Sequence, residues 1–441
     1  MNDEQPVRTA DPKATGTKAP RKFNYRKLFW KWHKYAGLLG GPLFVLIAVT
    51  GGILVFSPEI DFWLRPDVKT IPIPSVESPR VSDQAMVDLV RKQFPEEPLI
   101  LYWQNSESNR PYEFWLLGDI KTGIHEVWVD PYTGKIVGDR LRETAFIRIV
   151  EQLHRRLLTG EIGSSVIEFI TGWGIVLTLT GLFMWWPKTW KALRQGLTIP
   201  LRGSPYKINW RAHNTLGAWT SIFVLLMCLT GMVVSTYSGR IYHSILNATG
   251  DPFGAPTPKS VLASDSQTIA VDRVLKTVQE EMPEIGPVTI QWPRGETGCY
   301  VVSTYRETRP KWSDRNQFHQ WHFDQYSGEV LHRAAWSDLH PMLRFRTFSM
   351  TIHYGSIFGW PTKLLAIVSC LIVPLLVLSG FLIWWWKKKS TNPPQRETQP
   401  ISKAFVACMI GVGILFPTIG VSFVVLLAWE ATAFLVSRLR Q

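Results

Sequence analysis

Residues 32–51 read WHKYAGLLGGPLFVLIAVTG, and residues 212–231 read AHNTLGAWTSIFVLLMCLTG. Each stretch places a histidine at the start of an apolar run, a glycine one helical turn later and a Thr-Gly pair at the end. His33, Gly37 and Thr50-Gly51 fall on His213, Gly217 and Thr230-Gly231 with an offset of 180 throughout. Farther along, His154, Gly160, Thr180-Gly181 and Trp185-Trp186 fall on His353, Gly359, Ser379-Gly380 and Trp384-Trp385 with an offset of 199. Between them, DPYTGKIV (130–137) matches DQYSGEVL (324–331) with an offset of 194. Insertions in connecting segments produce such drift, so the chain reads as an internally duplicated helix–domain–helix unit followed by an apolar tail.

The 441 residues are 46% hydrophobic and 19% charged, but the two classes are segregated. Segments 36–56, 162–186, 214–237, 362–386 and 404–436 carry almost no charge. About 20 apolar residues suffice to cross the hydrocarbon core, and a soluble domain rarely needs five such runs. The expected fold class is therefore a polytopic α-helical membrane protein. The first run follows a polar arm and lacks a small-residue cleavage site, so it reads as an anchor. Lys and Arg collect in the N-terminal arm, in 187–211 and after Trp386, which makes those stretches cytoplasmic. The longer intervening segments then lie outside, and the net charge of +13 is a topology signal rather than a nucleic-acid surface. The tail 404–436 is about 50 Å long if helical, too long for one upright crossing, and Phe416-Pro417 can turn it into a hairpin.

Each external segment begins with a helical pattern, DQAMVDLVRKQF (83–94) or VDRVLKTVQEEM (271–282), and continues as alternating strands. Two small external α+β domains are expected. Cys228, Cys370 and Cys408 fall in apolar spans and only Cys299 lies outside, so neither a disulfide nor a CxxCH haem attachment is available.

The segments ending VDPYTGKIV and FDQYSGEVL resemble PepSY domains. The H-x-x-x-G…TG and LH-x-x-x-x-x-G…TG…WWP helices resemble the PepSY-associated transmembrane family, which includes bacterial inner-membrane ferric-siderophore reductases. The likeness runs from about residue 28 to the end. Charge, apolarity and this likeness together give a basic cytoplasmic arm (1–29), a first transmembrane helix (30–56), a periplasmic PepSY-like domain (57–153), and an interfacial segment with the second helix (154–187). A cytoplasmic loop (188–211) leads to the third helix (212–237), a second PepSY-like domain (238–345), and an interfacial segment with the fourth helix (346–387). A further cytoplasmic loop (388–402) precedes one or two C-terminal helices (403–437). The resemblance also implies b-type haem and electron delivery to a periplasmic ferric-siderophore complex.

The histidines carry the chemistry. His33 and His213 are expected together at the cytoplasmic ends of helices one and three, and His154 and His353 together at the external approaches to helices two and four. Two imidazoles facing across a bundle can supply both axial ligands of one haem, so two bis-histidine haems are expected, at opposite faces of the membrane. Zinc needs more ligands than two histidines supply. A histidine-based proton-coupled transporter and a haem-free PepSY-type sensor or assembly protein are the competing readings. His243 and His340 are alternative outer ligands, whereas His125, His319, His322 and His332 read as surface residues. Gly37, Gly40, Gly41 and Gly217 suit either a macrocycle or a neighbouring helix, and the four Thr/Ser-Gly pairs read as close packing. Arg140, Arg155, Arg156, Arg333, Arg344 and Arg346 gather near the outer pair, suited to haem propionates, lipid phosphates or an anionic substrate. The electron donor, a cytoplasmic protein or quinol, is not written in the sequence.

Overall fold

The computed structural model describes residues 25–73, 78–118, 123–200, 202–253, 257–262, 267–304, 311–388 and 403–439. Residues 1–24 of the basic arm and 389–402 of the last loop lie outside these. The first half of the chain runs α1 (Tyr25–Val55), α2 (Ser57–Leu64), α3 (Pro66–Lys69), α4 (Asp83–Gln93), β1 (Leu99–Trp103), β2 (Tyr112–Leu117), β3 (Ile124–Val129), β4 (Ile136–Leu141), α5 (Phe146–Arg156), α6 (Glu161–Trp185) and α7 (Trp190–Gly196). The second runs α8 (Pro205–Met232), α9 (Tyr237–Thr249), α10 (Val271–Glu281), β5 (Thr289–Gln291), β6 (Cys299–Ser303), β7 (His319–Asp324), β8 (Val330–Ala335), α11 (Pro341–His353) and α12 (Trp360–Lys388). Helices α13 (Lys403–Leu415) and α14 (Pro417–Leu439) complete it.

Four helices are long and apolar enough to cross a membrane: Leu28–Val55, Glu161–Trp185, Pro205–Met232 and Trp360–Lys387. The chain is a multi-pass membrane protein. The spans form a ring in which α1 and α8 each touch α6 and α12, so α1 faces α8 across it. The tail is bent by 118° where α13 meets α14. Pro417 opens α14, where its missing N–H costs nothing. At 1.5 Å per residue, α13 reaches about 20 Å, short of a ~30 Å hydrocarbon core. The turned-back tail packs on α6 through Ile419, which fills the space a side chain at Gly172 would need.

The two external domains expected from the sequence are not separate. All eight strands form one antiparallel sheet in the order β4-β3-β2-β1-β5-β6-β7-β8, joined at its centre by Tyr102 opposite Ile290. Strand alternation sends Tyr102, Phe114, Val127, Ile290, Val302 and Trp321 to one face, where Met86, Val87 and Val90 of α4 and Val274 and Val278 of α10 cover them. One core thus serves both halves, because each four-stranded set leaves an open edge that the other satisfies. The opposite face, carrying Trp103, Glu113, Trp115, Glu126 and Arg140, lines a cavity shared with α2 and α5.

Candidate histidine pairs

The four histidines singled out by the repeat meet in two pairs. The ring centroids of His33 and His213 are 6.2 Å apart, and those of His154 and His353 are 6.3 Å apart. Two metal–imidazole bonds of about 2.0–2.1 Å, with the depth of each ring added, give a separation of this size. His33 and His213 project from α1 and α8, which face one another across the ring. His154 lies near the end of α5 and His353 ends α11. The chain breaks after each: Leu157, Leu158 and Gly160 have φ of 48°, 59° and 68°, and Gly355 and Gly359 have φ of 67° and 71°. These left-handed breaks set both outer histidines on short helices separate from the spans.

Every imidazole is held in the same way. His154 Nδ1 lies 3.0 Å from the Ile47 carbonyl and 3.1 Å from Thr50 Oγ1. His353 Nδ1 lies 3.0 Å from the Met227 carbonyl and 3.3 Å from Thr230 Oγ1. His213 Nδ1 meets the Leu376 carbonyl at 3.1 Å and Ser379 Oγ at 2.9 Å. His33 Nδ1 meets Thr180 Oγ1 at 3.1 Å and the backbone at Leu177. The hydroxyls donate elsewhere, to the carbonyls of Leu46, Leu226, Leu376 and Val176. Each therefore accepts from its imidazole, which puts the proton on Nδ1 and the lone pair on Nε2. A metal-ligating histidine needs that tautomer, with its second nitrogen tied to an acceptor.

The glycine after each hydroxyl completes the arrangement. A Cβ on Gly51, Gly181, Gly231 or Gly380 would stand 3.1, 3.0, 2.9 or 3.5 Å from Cε1 of His154, His33, His353 or His213, respectively. The Thr/Ser-Gly pairs are thus imidazole seats, a role the packing reading missed. Their one sequence signal was numerical: four pairs for four repeated histidines. Gly40 and Gly41 are packing positions, pressed against Trp173 and Val377, whereas Gly37 and Gly217 meet only one leucine each at 3.7 Å.

The model of the PepSY-associated TM region matches residues 30–388. The chain belongs to that family. No curated protein matches it.

Around the outer pair, this PepSY-associated membrane protein holds a cavity of about 600 Å³, lined by both His154 and His353. That volume lies within the range of about 300–1,000 Å³ of cofactor sites. Arg155, Arg156 and Arg346 of the expected basic collar line it. Arg140 does not: it is spent on Asp61 and Glu126. Arg333 is bound to Glu281. Burial opposes ionisation of Asp61, but Arg140 and Lys69 outweigh it and hold the carboxyl below its ordinary range.

The other histidines fall outside the pairs. His340 accepts from Met342 N and caps α11, and His243 packs edge-on to Tyr242. His125 and His322 are buried rather than on the surface. His125 sits between Glu97 and Asp139, while burial and neighbouring His332 push His322 down to about 4. Among the described residues, no three His, Cys, Asp or Glu side chains gather as a metal site needs. Glu168, the buried acid that a proton relay would recruit, accepts from Tyr237 N, Ser238 N and Ser238 Oγ. It therefore acts as a cap for α9.

Proposed function

We propose that this protein is a bacterial inner-membrane oxidoreductase that holds two b-type haems, each between two histidines. It passes electrons to a periplasmic acceptor, a ferric-siderophore complex, and so releases iron during uptake. The supporting observation is the doubled pairing: two imidazole couples at opposite ends of one helical ring, each ring seated through Nδ1 on a backbone carbonyl and a hydroxyl. Bound there, haem iron supplies one-electron chemistry within reach of biological donors and acceptors.

The chain's own residues do the rest. Thr50, Thr180, Thr230 and Ser379 fix the tautomer and the plane of each imidazole. The adjoining glycines let the rings lie against the helix backbone. Arg155, Arg156 and Arg346 supply cations at the outer cavity for carboxylate side groups. The outer pair stands on short helices beside the sheet, so a bulky acceptor need not enter the bilayer. Hard oxygen donors hold Fe(II) more weakly than Fe(III), which makes one-electron reduction a release step. In this reading the N-terminus is cytoplasmic and the sheet periplasmic. The inner pair takes electrons from a cytoplasmic protein or quinol, and the two halves descend from one duplicated helix–PepSY-like domain–helix unit.

The test is pairwise. His33→Ala and His154→Ala, purified as full chains, are each expected to retain about half the wild-type haem, because each removes a ligand from one of two sites. Loss of both haems from either folded variant, or retention of both, contradicts the assignment. A folded wild-type protein without haem favours a sensor or assembly role.

A further inference from the structure

A second cavity, of about 520 Å³, lies between the polar face of β1–β4 and helices α2 and α5. It adjoins the cavity of the outer histidines: Ser57, Trp103, Trp115, Arg142, Ile147 and Glu151 line both. At that neck the Trp103 and Trp115 rings meet edge-to-face at 4.7 Å, and the Arg142 guanidinium lies 4.2 Å from the Trp115 ring. The whole lining of this second cavity carries six carboxylates and five cations. Most are matched locally: Lys69 bridges Asp61 and Glu113 at 3.3 and 3.7 Å, and Arg140 bridges Asp61 and Glu126 at 2.7 Å each. Trp128, fully buried, lines the same wall, and its indole N–H has no hydrogen-bond partner.

The fold does not require this network. Glu126 stands opposite Arg140 in the β3–β4 ladder, but at the matching place in β7–β8 Gln320 stands opposite Ala334. Trp128 opposite Gly138 is likewise replaced by His322 opposite His332. Among the described residues, β5–β8 pair in the same register with no ion pair between strands; Arg333 of β8 pairs instead with Glu281 of α10. Buried ion pairs are costly to desolvate and add little net stability, so a cluster confined to one half needs a reason other than folding.

We infer that the cavity between β1–β4, α2 and α5 binds the electron acceptor, and that it takes a compact, oxygen-rich metal chelate of low net charge. The inference rests on the function proposed above. Paired charges and hydrogen-bonding groups solvate a polar ligand while offering no excess of cations to a strongly anionic one. Trp115 and the Arg142 guanidinium stacked on it border the cavity on the side that adjoins the one lined by His154, and the chelate rests against them there.

Gallium(III) bound to a linear trihydroxamate chelator is a suitable probe, because it copies the ferric complex and is not reduced. Its binding to the full-length protein in nanodiscs is measured by calorimetry. Trp115→Leu, Arg142→Gln and the neck-filling Ser57→Trp are each expected to weaken binding at least tenfold, read beside the haem content of the same preparation because these residues also border the outer histidine cavity, and His332→Gln, in the other half of the sheet, to leave it unchanged. Should two of the three neck variants lose their fold, the third decides, since each alters a different contact. Binding within twofold of wild type in the folded neck variants overturns the inference, as does a wild type that reduces the ferric complex yet shows no saturable gallium binding. Haem-loaded protein with unaffected neck variants rejects the cavity alone. Haem-free protein that binds the gallium complex rejects the electron-transfer reading alone.

Discussion

Thr180 accepts the Nδ1 proton of His33 and passes its own to the Val176 carbonyl. Thr180→Val keeps the shape and removes one of the two acceptors of His33 Nδ1, and loss of such a partner costs about 10–100-fold in metal-site affinity. The variant is expected to lose haem from one site on dilution at that increased rate, seen as the decay of half the absorbance. Gly231→Val tests the steric half of the seat: a Cβ there lies 2.9 Å from His353 Cε1, so the ring must move and the outer site empties. A different residue reports on pH. Burial alone would lower the pKa of His125, but hydrogen bonds to Asp139 and Glu97 outweigh it and raise the value above the ordinary 6.5. A raised folded-state pKa contributes stability that is complete below 6.5 and fades as pH climbs through the folded value. His125→Gln should therefore lower the melting temperature of the sheet at pH 6, and the difference from wild type should shrink toward pH 9. At this scale the histidines were legible because repetition marks them. The seats were not, since a threonine bonded to its own helix and one seating an imidazole look alike in sequence. The fate of Arg140 was hidden too, because Asp61 lies 79 positions from it along the chain, although Glu126 stands opposite it on the neighbouring strand.

Among the elements, the spans declared themselves through length and apolarity alone. The join between the two strand sets did not. Strand β5 has three residues and meets β1 about 190 positions away, and no periodicity announces a partner at such a distance. The consequence is mechanical. Ile290, fully buried at the join, packs into the core that both halves share. Ile290→Ala should cost about 2–5 kcal/mol, and hydrogen exchange should rise together in β1–β4 and β5–β8. Exchange rising in β5–β8 alone would mean that the halves unfold independently. The breaks after α5 and α11 were legible only in part. Gly160 and Gly359 were visible as repeated glycines, whereas Leu157 and Leu158 adopt left-handed backbone that leucine rarely takes.

Across the whole molecule, the two pairs are held apart by the helices that serve both. His33 and Thr50, which seats His154, lie 17 positions apart on α1, as do His213 and Thr230 on α8. At 1.5 Å per residue that is about 25 Å along each helix. The spacing places one imidazole pair at each end of the ring, so the proposed haems would occupy two sites rather than one. Haem content of the purified, folded full chain, with the absorption spectrum before and after dithionite, tests this most directly. Two haems per chain and a sharp reduced α band from paired imidazoles are expected. A colourless folded protein from iron-replete cells, or a single haem that survives both His33→Ala and His154→Ala, would contradict it.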